Sequence, residues 1–430
     1  MSRLRIRGAR VIDPAIGRDE LASLEIDGGR IVAVGAEPAG RPDEVLEADG
    51  LWLAPGLVDL HAHLREPGQE YKEDIASGTR SAAAGGFSTV CCMANTDPVN
   101  DNPAVTEFIV RQALATAHVR VRVIGAATQG LRGEIMTEMA GLADAGAVAF
   151  SDDGSVIMNG TVMRRVLEYS VGVGKPVIAH CEDLSLRGSG VVHEGTYSTC
   201  SGLPGSPAEA ETVMVARDLQ LAALTGAHLH IAHVSAAGSV EQIRAAKEAG
   251  VEVTAEVTPH HLALVDSEVL GYDTNRKMAP PLRSARDREV LIEGLRDGTI
   301  DCVATDHAPH AHHEKDVDFV EAPFGVVGFE TALGVVLELV HAGQLSPLEA
   351  VSRLSTRPAR IFSLRAGTLE VGAPADLVLI DPEAVWKVEA RSLRSKSKNS
   401  AFLGAEMRGR AVRTWVEGRC VYELGAEGAS

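Results

Sequence analysis

Short apolar runs recur through the middle of the chain, each followed by a stretch rich in Ala, Leu and Glu with helical character. Eight runs stand at residues 57–60, 88–93, 119–124, 147–150, 176–179, 229–232, 251–255 and 300–304, and stretches such as 161–171, 208–224 and 240–249 lie between them. A strand-then-helix unit repeated in this way predicts an α/β fold, a (β/α)8 TIM-type barrel. A doubly wound open sheet is the competing fold, but no GxGxxG turn follows the first run. The two ends of the chain read differently. Residues 22–27 and 30–34 flank Gly28-Gly29 as a hairpin, and 413–416 and 420–422 flank 417–419 as another, with a further strand at 375–380. These predict a small β-sandwich domain formed by both termini. The expected limits are 1–56 and 363–430 for its two parts and 57–362 for the barrel.

Composition narrows the possible partners. Of 430 residues 45% are hydrophobic, and 41 basic against 59 acidic side chains leave a net charge of −18. Such a chain is poorly suited to nucleic acid or to an anionic membrane surface. An acidic substrate would have to be held by local positive charge. Arg3, Arg5, Arg7 and Arg10 interrupt the N-terminus and no apolar signal core follows, nor does any apolar run approach membrane-spanning length. Six cysteines occur without a CxxC pair. Reduced thiols and a cytoplasmic location are expected.

The candidate chemistry lies in where His and Asp fall. His61 and His63 follow the first run, Asp152 and Asp153 the fourth, His180 the fifth, His233 the sixth and Asp306 the eighth. Barrel enzymes build their sites at the C-terminal ends of the strands. Imidazole with carboxylate suits Zn²⁺ and similar ions. Each piece alone has a plainer explanation: two partly buried histidines, a hydrogen-bonded core histidine, a capping aspartate. Five strand ends carrying ligand-type side chains at one face outweigh those explanations. The remaining histidines take the plainer role. His118, His228 and His341 are expected to be structural, His230 packs within a strand, and His312 and His313 belong to a solvated loop. His260 and His261 lean structural, although either could edge the site. Cys181 is expected to be a buried thiol. Residues 307–327 form a connection longer than the usual ~2–6 residues, in which Pro323, Phe324 and Gly325 could offer backbone groups to a substrate.

Asp59-Leu-His-Ala-His-Leu-Arg-Glu-Pro-Gly68 resembles the first-strand signature of dihydroorotases, within the amidohydrolase superfamily. Asn95-Thr96, Phe150-Ser-Asp-Asp-Gly154, Ala179-His-Cys-Glu182, Ile231-Ala-His-Val-Ser235, Asn275-Arg-Lys-Met-Ala-Pro-Pro-Leu-Arg283 and Ala304-Thr-Asp-His-Ala-Pro-His310 resemble its further motifs. The resemblance covers nearly the whole chain. It implies one metal held by His61, His63 and Asp306, and a second by His180 and His233. Asp153 bridges or completes the pair. Many relatives bridge with a carboxylated lysine; the aspartate here is similar to a bacterial branch and leaves one or two Zn²⁺ per subunit open.

The implied reaction is reversible hydrolysis of the cyclic amide of (S)-dihydroorotate to N-carbamoyl-L-aspartate, in pyrimidine biosynthesis. Asp306 would move the proton from the attacking nucleophile to the ring nitrogen. Arg65, two residues past His63, is expected on the same side of the strand. There it would grip the substrate carboxylate, completed by resemblance with Asn95 and His310. The 275–283 segment, with Asn275, forms a second wall. A hydantoinase or allantoinase is the alternative enzyme, against which Arg65 with Asn95 and the aspartate at 153 argue. An inactive scaffold partner of aspartate carbamoyltransferase is the alternative of another class. Homo-oligomers and a complex with that transferase are expected partners beyond the small-molecule substrate.

Overall fold

The computed structural model describes residues 3–35 and 41–426. Eight parallel strands, Leu57–Ala62, Phe87–Cys92, Arg120–Gly125, Ala147–Ser151, Val177–Ala179, Leu229–Ile231, Val253–Val257 and Cys302–Val303, neighbour one another in chain order. The ring is drawn together where the ends meet: Ala62 bridges His307, and the His63 amide donates to the His307 carbonyl (2.8 Å). The result is a nearly closed barrel of the TIM type. Below that seam Asp59, fully buried, accepts from the Thr305 amide (2.9 Å) and the Thr305 hydroxyl (2.5 Å).

Every expected run contributes a strand. The seventh starts later than its apolar pattern suggests, at Val253, and the eighth pairs over only two residues. Beyond Val303 the Ala304 amide still donates to the Val257 carbonyl (3.1 Å), but the Thr305 amide turns to the Asp59 carboxylate (2.9 Å), so ladder pairing stops early. The expected helices form as Gly160–Val173, Glu209–Thr225 and Ala237–Glu248.

Both chain ends enter a second, eight-stranded sheet. Its order is Arg419–Glu423, Glu406–Val416, Leu377–Lys387, Trp52–Pro55, Leu4–Asp13, Arg18–Asp27, Arg30–Gly35, with Glu44–Glu47 also paired to Leu4–Asp13. Ile6, Val11, Leu24, Leu53, Leu377 and Trp415 pack a core of its own. The first expected hairpin turns at Gly28 and Gly29, with φ of 56° and 79°, the left-handed conformation that tight hairpins need and glycine supplies at no steric cost. Between Lys387 and Glu406 the chain leaves this sheet and crosses to the barrel mouth.

The first barrel helix, Ile75–Ala84, ends against the helix Phe329–His341. At the junction Gly85 has an ordinary φ of −79°, yet a Cβ there would lie 2.2 Å from the Phe329 carbonyl oxygen. Gly85→Ala should therefore destabilise through overpacking against backbone, by ~1–3 kcal/mol. Urea denaturation of both proteins measures it, and an unchanged midpoint would show that the helices have room to part.

Candidate metal centre and substrate cavity

His61 lies in the first strand and His63 just beyond it, so both rings reach the barrel mouth. Each is oriented through Nδ1: His61 donates to Glu256 Oε1 (2.6 Å) and His63 to Asn95 Oδ1 (2.8 Å). Both Nε2 atoms are thereby turned to the carboxylates. His63 Nε2 lies 3.0 Å and His61 Nε2 3.6 Å from Asp306 Oδ1. Asp153 divides its two oxygens. Oδ2 faces His61 Nε2 (3.2 Å) and His63 Nε2 (3.5 Å), and Oδ1 faces His233 Nε2 (3.3 Å) and His180 Nδ1 (3.5 Å). Two compact triples result, His61 with His63 and Asp306, and His61 with Asp153 and His233. His180 edges the second, its Nδ1 2.8 Å from His233 Nε2. His233 therefore lies between the two groups, its ring centre 4.6 Å from that of His180 and 5.2 Å from that of His61.

The donor set fits a divalent cation. His61 Nε2 is buried without a hydrogen-bond partner, aimed between two carboxylates. The charges say the same. Burial alone would raise the pKa of Asp306 and Asp153. His63 and His61 instead hold Asp306 below the ordinary carboxylate range, and His61, His180 and His233 do so for Asp153. Burial would lower the pKa of His61, yet Asp153 and Glu256 raise it well above the usual value. Histidines drawn toward protonation mark a surplus of buried negative charge, which a metal ion would neutralise in place of the protons.

Asp152 and Asp153 face different ways. Asp152 accepts from the Thr128 amide (2.8 Å) and hydroxyl and caps that turn. The following Gly154 sits at φ 87°, where a Cβ would come within 2.6 Å of Asn95 Nδ2. Cys181 is buried with Sγ 3.8 Å from Asp218 Oδ2 and is turned from the cluster. His261 is taken up by Thr258 and the Pro280 carbonyl (3.1 Å). Burial and neighbouring charges lower the pKa of His260 and His261, keeping both neutral.

Glu256 was not among the expected residues. It is buried, orients His61, and accepts from His230 Nε2 (3.1 Å), so His230 is part of a polar network and not only of the packing. The sequence carried a signal for it: Glu252, Thr254 and Glu256 alternate along a strand that should be apolar on both faces.

Above the cluster opens a cavity of about 580 Å³, lined by Arg65, Asn95, His310, Pro323, Phe324 and Gly325 together with cluster residues. Arg65 arrives by a route different from the one expected. The strand ends at Ala62, and Arg65 lies beyond it with φ 64°, so a left-handed turn and not strand alternation directs it. Its Nε donates to the Pro309 carbonyl (3.2 Å); burial brings its pKa down to about 10, which leaves it charged at neutral pH. His310 Nε2 donates to the Phe324 carbonyl (2.8 Å), and its Nδ1 is buried and unpaired. The 275–283 segment meets the cavity at Ala279, whereas Asn275 stands outside the lining with its Oδ1 buried and unpaired. Arg132 and Arg187, not expected from the sequence, also line it. Four of the seven described non-glycine residues with positive φ (Arg65, Leu131, His233 and Asp306) border this one cavity. Strain of that kind costs ~1–3 kcal/mol per residue and collects at functional sites.

The 307–327 connection is an ordered wall. The Lys315 ammonium donates to the carbonyls of Pro323 (2.7 Å) and Thr274 (3.1 Å), and Lys277 to that of Val320 (2.7 Å). Lys277 also lies 4.6 Å from the centre of the Phe324 ring.

A barrel with a shared His/Asp cluster at the C-terminal ends of its strands is the arrangement of a metal-type amidohydrolase. Two family profiles match: "Dihydro-orotase-like" over residues 50–239 and "Amidohydrolase family" over residues 208–422. The dihydroorotase of Geotalea daltonii is 52% identical, over 97% of this chain and 99% of its own. That of Geobacter metallireducens is 51% identical, over 98% and 99%. The chain belongs to the dihydroorotase family. Among solved structures, the L-hydantoinase (dihydropyrimidinase) of Arthrobacter aurescens superposes with a TM-score of 0.89 at 26% identity, over 99% of this chain and 97% of that one.

The buried Lys315 makes the cavity wall sensitive to pH. Burial lowers its pKa from 10.5 to about 7. Between those values the unfolded chain binds the proton that the folded chain has released, so stability from this group rises with pH across the window; below about 7 the full cost of burying the charge is present. Measured from pH 7 to 10, the wild type should gain stability relative to Lys315→Met. A difference that stays flat over that range would mean the ammonium is not desolvated.

Proposed function

We propose that the chain catalyses the reversible hydrolysis of (S)-dihydroorotate to N-carbamoyl-L-aspartate, using Zn²⁺ held by His61, His63, Asp153, His180, His233 and Asp306. The observation that carries this reading is the adjacency of two features: a cation-seeking His/Asp cluster and, in the same cavity, a buried charged arginine. The substrate is a cyclic amide bearing a carboxylate, so it needs both. Bound zinc would supply Lewis acidity, polarising the amide carbonyl and lowering the pKa of water. Asp306, kept ionised by its histidine neighbours, accepts the proton of the attacking water and returns it to the departing ring nitrogen. In ring closure the same carboxyl starts protonated. Arg65 and Asn95 Nδ2 hold the substrate carboxylate, with His310 beside them. Pro323, Phe324 and Gly325 present backbone groups to the ring; Asn275 acts only through the segment behind them.

The likeness to the L-hydantoinase (dihydropyrimidinase) keeps one alternative in view, a hydantoinase-type activity on a cyclic amide without a carboxylate. Arg65 with Asn95, and an aspartate at 153 in place of a carboxylated lysine, argue against it. We further propose the domain limits 1–56, 57–362 and 363–430, a cytoplasmic location, a homo-oligomer and association with aspartate carbamoyltransferase. No described helix is long and apolar enough to cross a membrane. Sedimentation with and without the transferase tests the assembly.

Two measurements test the function. Chelation should abolish hydrolysis and zinc restore it. Asp153→Ala should lose metal and activity, Asp152→Ala should keep the metal, and Asp306→Asn should fail in both directions. Full activity in metal-free protein would overturn the metal role; the opposite behaviour of the two aspartate variants would overturn the choice of Asp153.

Substrate choice is tested by comparing dihydroorotate with dihydrouracil, the same ring without the carboxylate. Hydrogen bonds to charged groups contribute ~1.5–3 kcal/mol each, so two of them give a preference of roughly a hundredfold or more in kcat/KM. Arg65→Met should remove most of that preference while leaving metal content intact. Equal turnover of the two rings by the wild type would favour the hydantoinase reading.

A further inference from the structure

The excursion between Lys387 and Glu406 is clamped onto the barrel by two acids, the buried Glu73 and the half-buried Glu330. Glu73 accepts from the Lys396 amide (3.0 Å) and the Ser395 hydroxyl. Glu330 accepts from the amides of Arg394 (2.6 Å) and Ser395 (3.3 Å). The Lys398 ammonium folds back on the Leu393 carbonyl (2.6 Å). Held in this way, the segment delivers Asn399, 4% exposed, into the connection that follows the eighth strand.

There both ends of the Asn399 side-chain amide and its backbone carbonyl are engaged. Oδ1 accepts from the His310 amide (3.1 Å). Nδ2 donates to the carbonyls of Ala308 (3.1 Å) and Gly325 (3.2 Å). Its own carbonyl accepts from the Val327 amide (3.1 Å). The partners fix the orientation of the amide, because an N–H can face only Oδ1 and two carbonyls can face only Nδ2. One side chain thereby spans the outgoing limb, 308–310, and the returning limb, 325–327. The limbs touch without slack: a Cβ on Gly325 would lie 2.6 Å from that of Ala308. Between them the limbs carry His310, Phe324 and Gly325 into the cavity.

We propose that Asn399 is a positioning residue for the substrate pocket, setting the spacing of these two limbs and so the placement of His310 and the Phe324–Gly325 backbone against bound substrate. The proposal rests on the reading that dihydroorotate binds in this cavity. Asn399 touches neither the cluster nor the cavity itself, so its loss should act on binding more than on the chemical step or the metal. Truncation would leave one amide and two carbonyls buried and unpaired, which favours opening of the limbs to water.

Asn399→Ala and Asn399→Asp separate hydrogen bonding from shape. The aspartate is nearly isosteric and keeps the acceptor for His310, but sets a carboxylate oxygen against two carbonyls. Both variants should raise KM for dihydroorotate about tenfold, the equivalent of one net hydrogen bond. Metal content should be unchanged and kcat should change by less than about threefold. Amide hydrogen exchange supplies a readout independent of any substrate. In the wild type the His310 and Val327 amides should be protected, and in both variants these two should exchange faster while the other loops of the barrel mouth do not change. A wild type in which both amides exchange freely, or an Asn399→Asp enzyme with wild-type KM, would overturn the proposal. So would an effect confined to kcat with metal loss. If wild-type protein does not turn over dihydroorotate, the functional reading fails, while exchange at the two amides still decides the role of Asn399. Should Asn399→Ala not fold, Asn399→Ser carries the same test.

Discussion

The barrel mouth is organised around a surplus of buried negative charge. Asp153, Asp306 and Glu256 are all buried and packed among His61, His63, His180, His230 and His233. Carboxylates in such surroundings are expensive unless compensated. Here imidazoles supply part of the compensation, and the orphaned His61 Nε2 marks where a cation would supply the rest. Much of the local geometry serves that arrangement. Glu256 and Asn95 fix the two ring orientations, Asp152 is diverted to Thr128, and Gly154 leaves room for the Asn95 amide. His233 and Asp306 adopt left-handed backbone conformations to present their side chains inward. The outer arrangement of partners to a metal-binding histidine is as much a part of such a site as the ligands.

A protein of net charge −18 that binds an anion must build its positive potential locally. It does so in layers. Arg65, Arg132 and Arg187 line the cavity, and behind the wall stand Lys277 and, in its protonated form, Lys315. The lysines serve two purposes, because their ammonium groups also satisfy backbone carbonyls that the long 307–327 connection would otherwise bury unpaired. The wall is consequently an ordered part of the barrel and not a surface insertion, and the excursion from the β unit completes it through Asn399. This gives the divided β unit a consequence for the site: the chain's last third returns to shape a pocket whose chemistry was placed by the strands before it.

Periodicity and position made most of the fold legible. Apolar runs of strand length at regular intervals admit few arrangements, and all eight expected runs contribute barrel strands. The His and Asp residues at their ends were legible for the same reason, since a strand's C-terminal end is defined once the strand is. Arg65 was expected in the pocket but on the wrong grounds, because period-two alternation ends with the strand at Ala62 and a positive φ takes over. Asn275 was placed in the pocket by likeness of motif, whereas its segment meets the cavity at Ala279.

What the sequence by itself determined is local: which segments are strands, which residue follows each, and how much charge the whole chain carries. Those properties depend on spacing along the chain, and the folded protein keeps them. Only the tertiary structure decided the rest. That Glu256 on the seventh strand meets His61 on the first, that Lys315 secures Pro323 while Lys277 reaches Val320, and that Asn399 joins two limbs ninety-one and seventy-four residues away are contacts between groups whose separation in sequence says nothing of their separation in space. A buried polar group takes whichever partner the completed fold brings within hydrogen-bond distance, and that partner is fixed only when the barrel has closed.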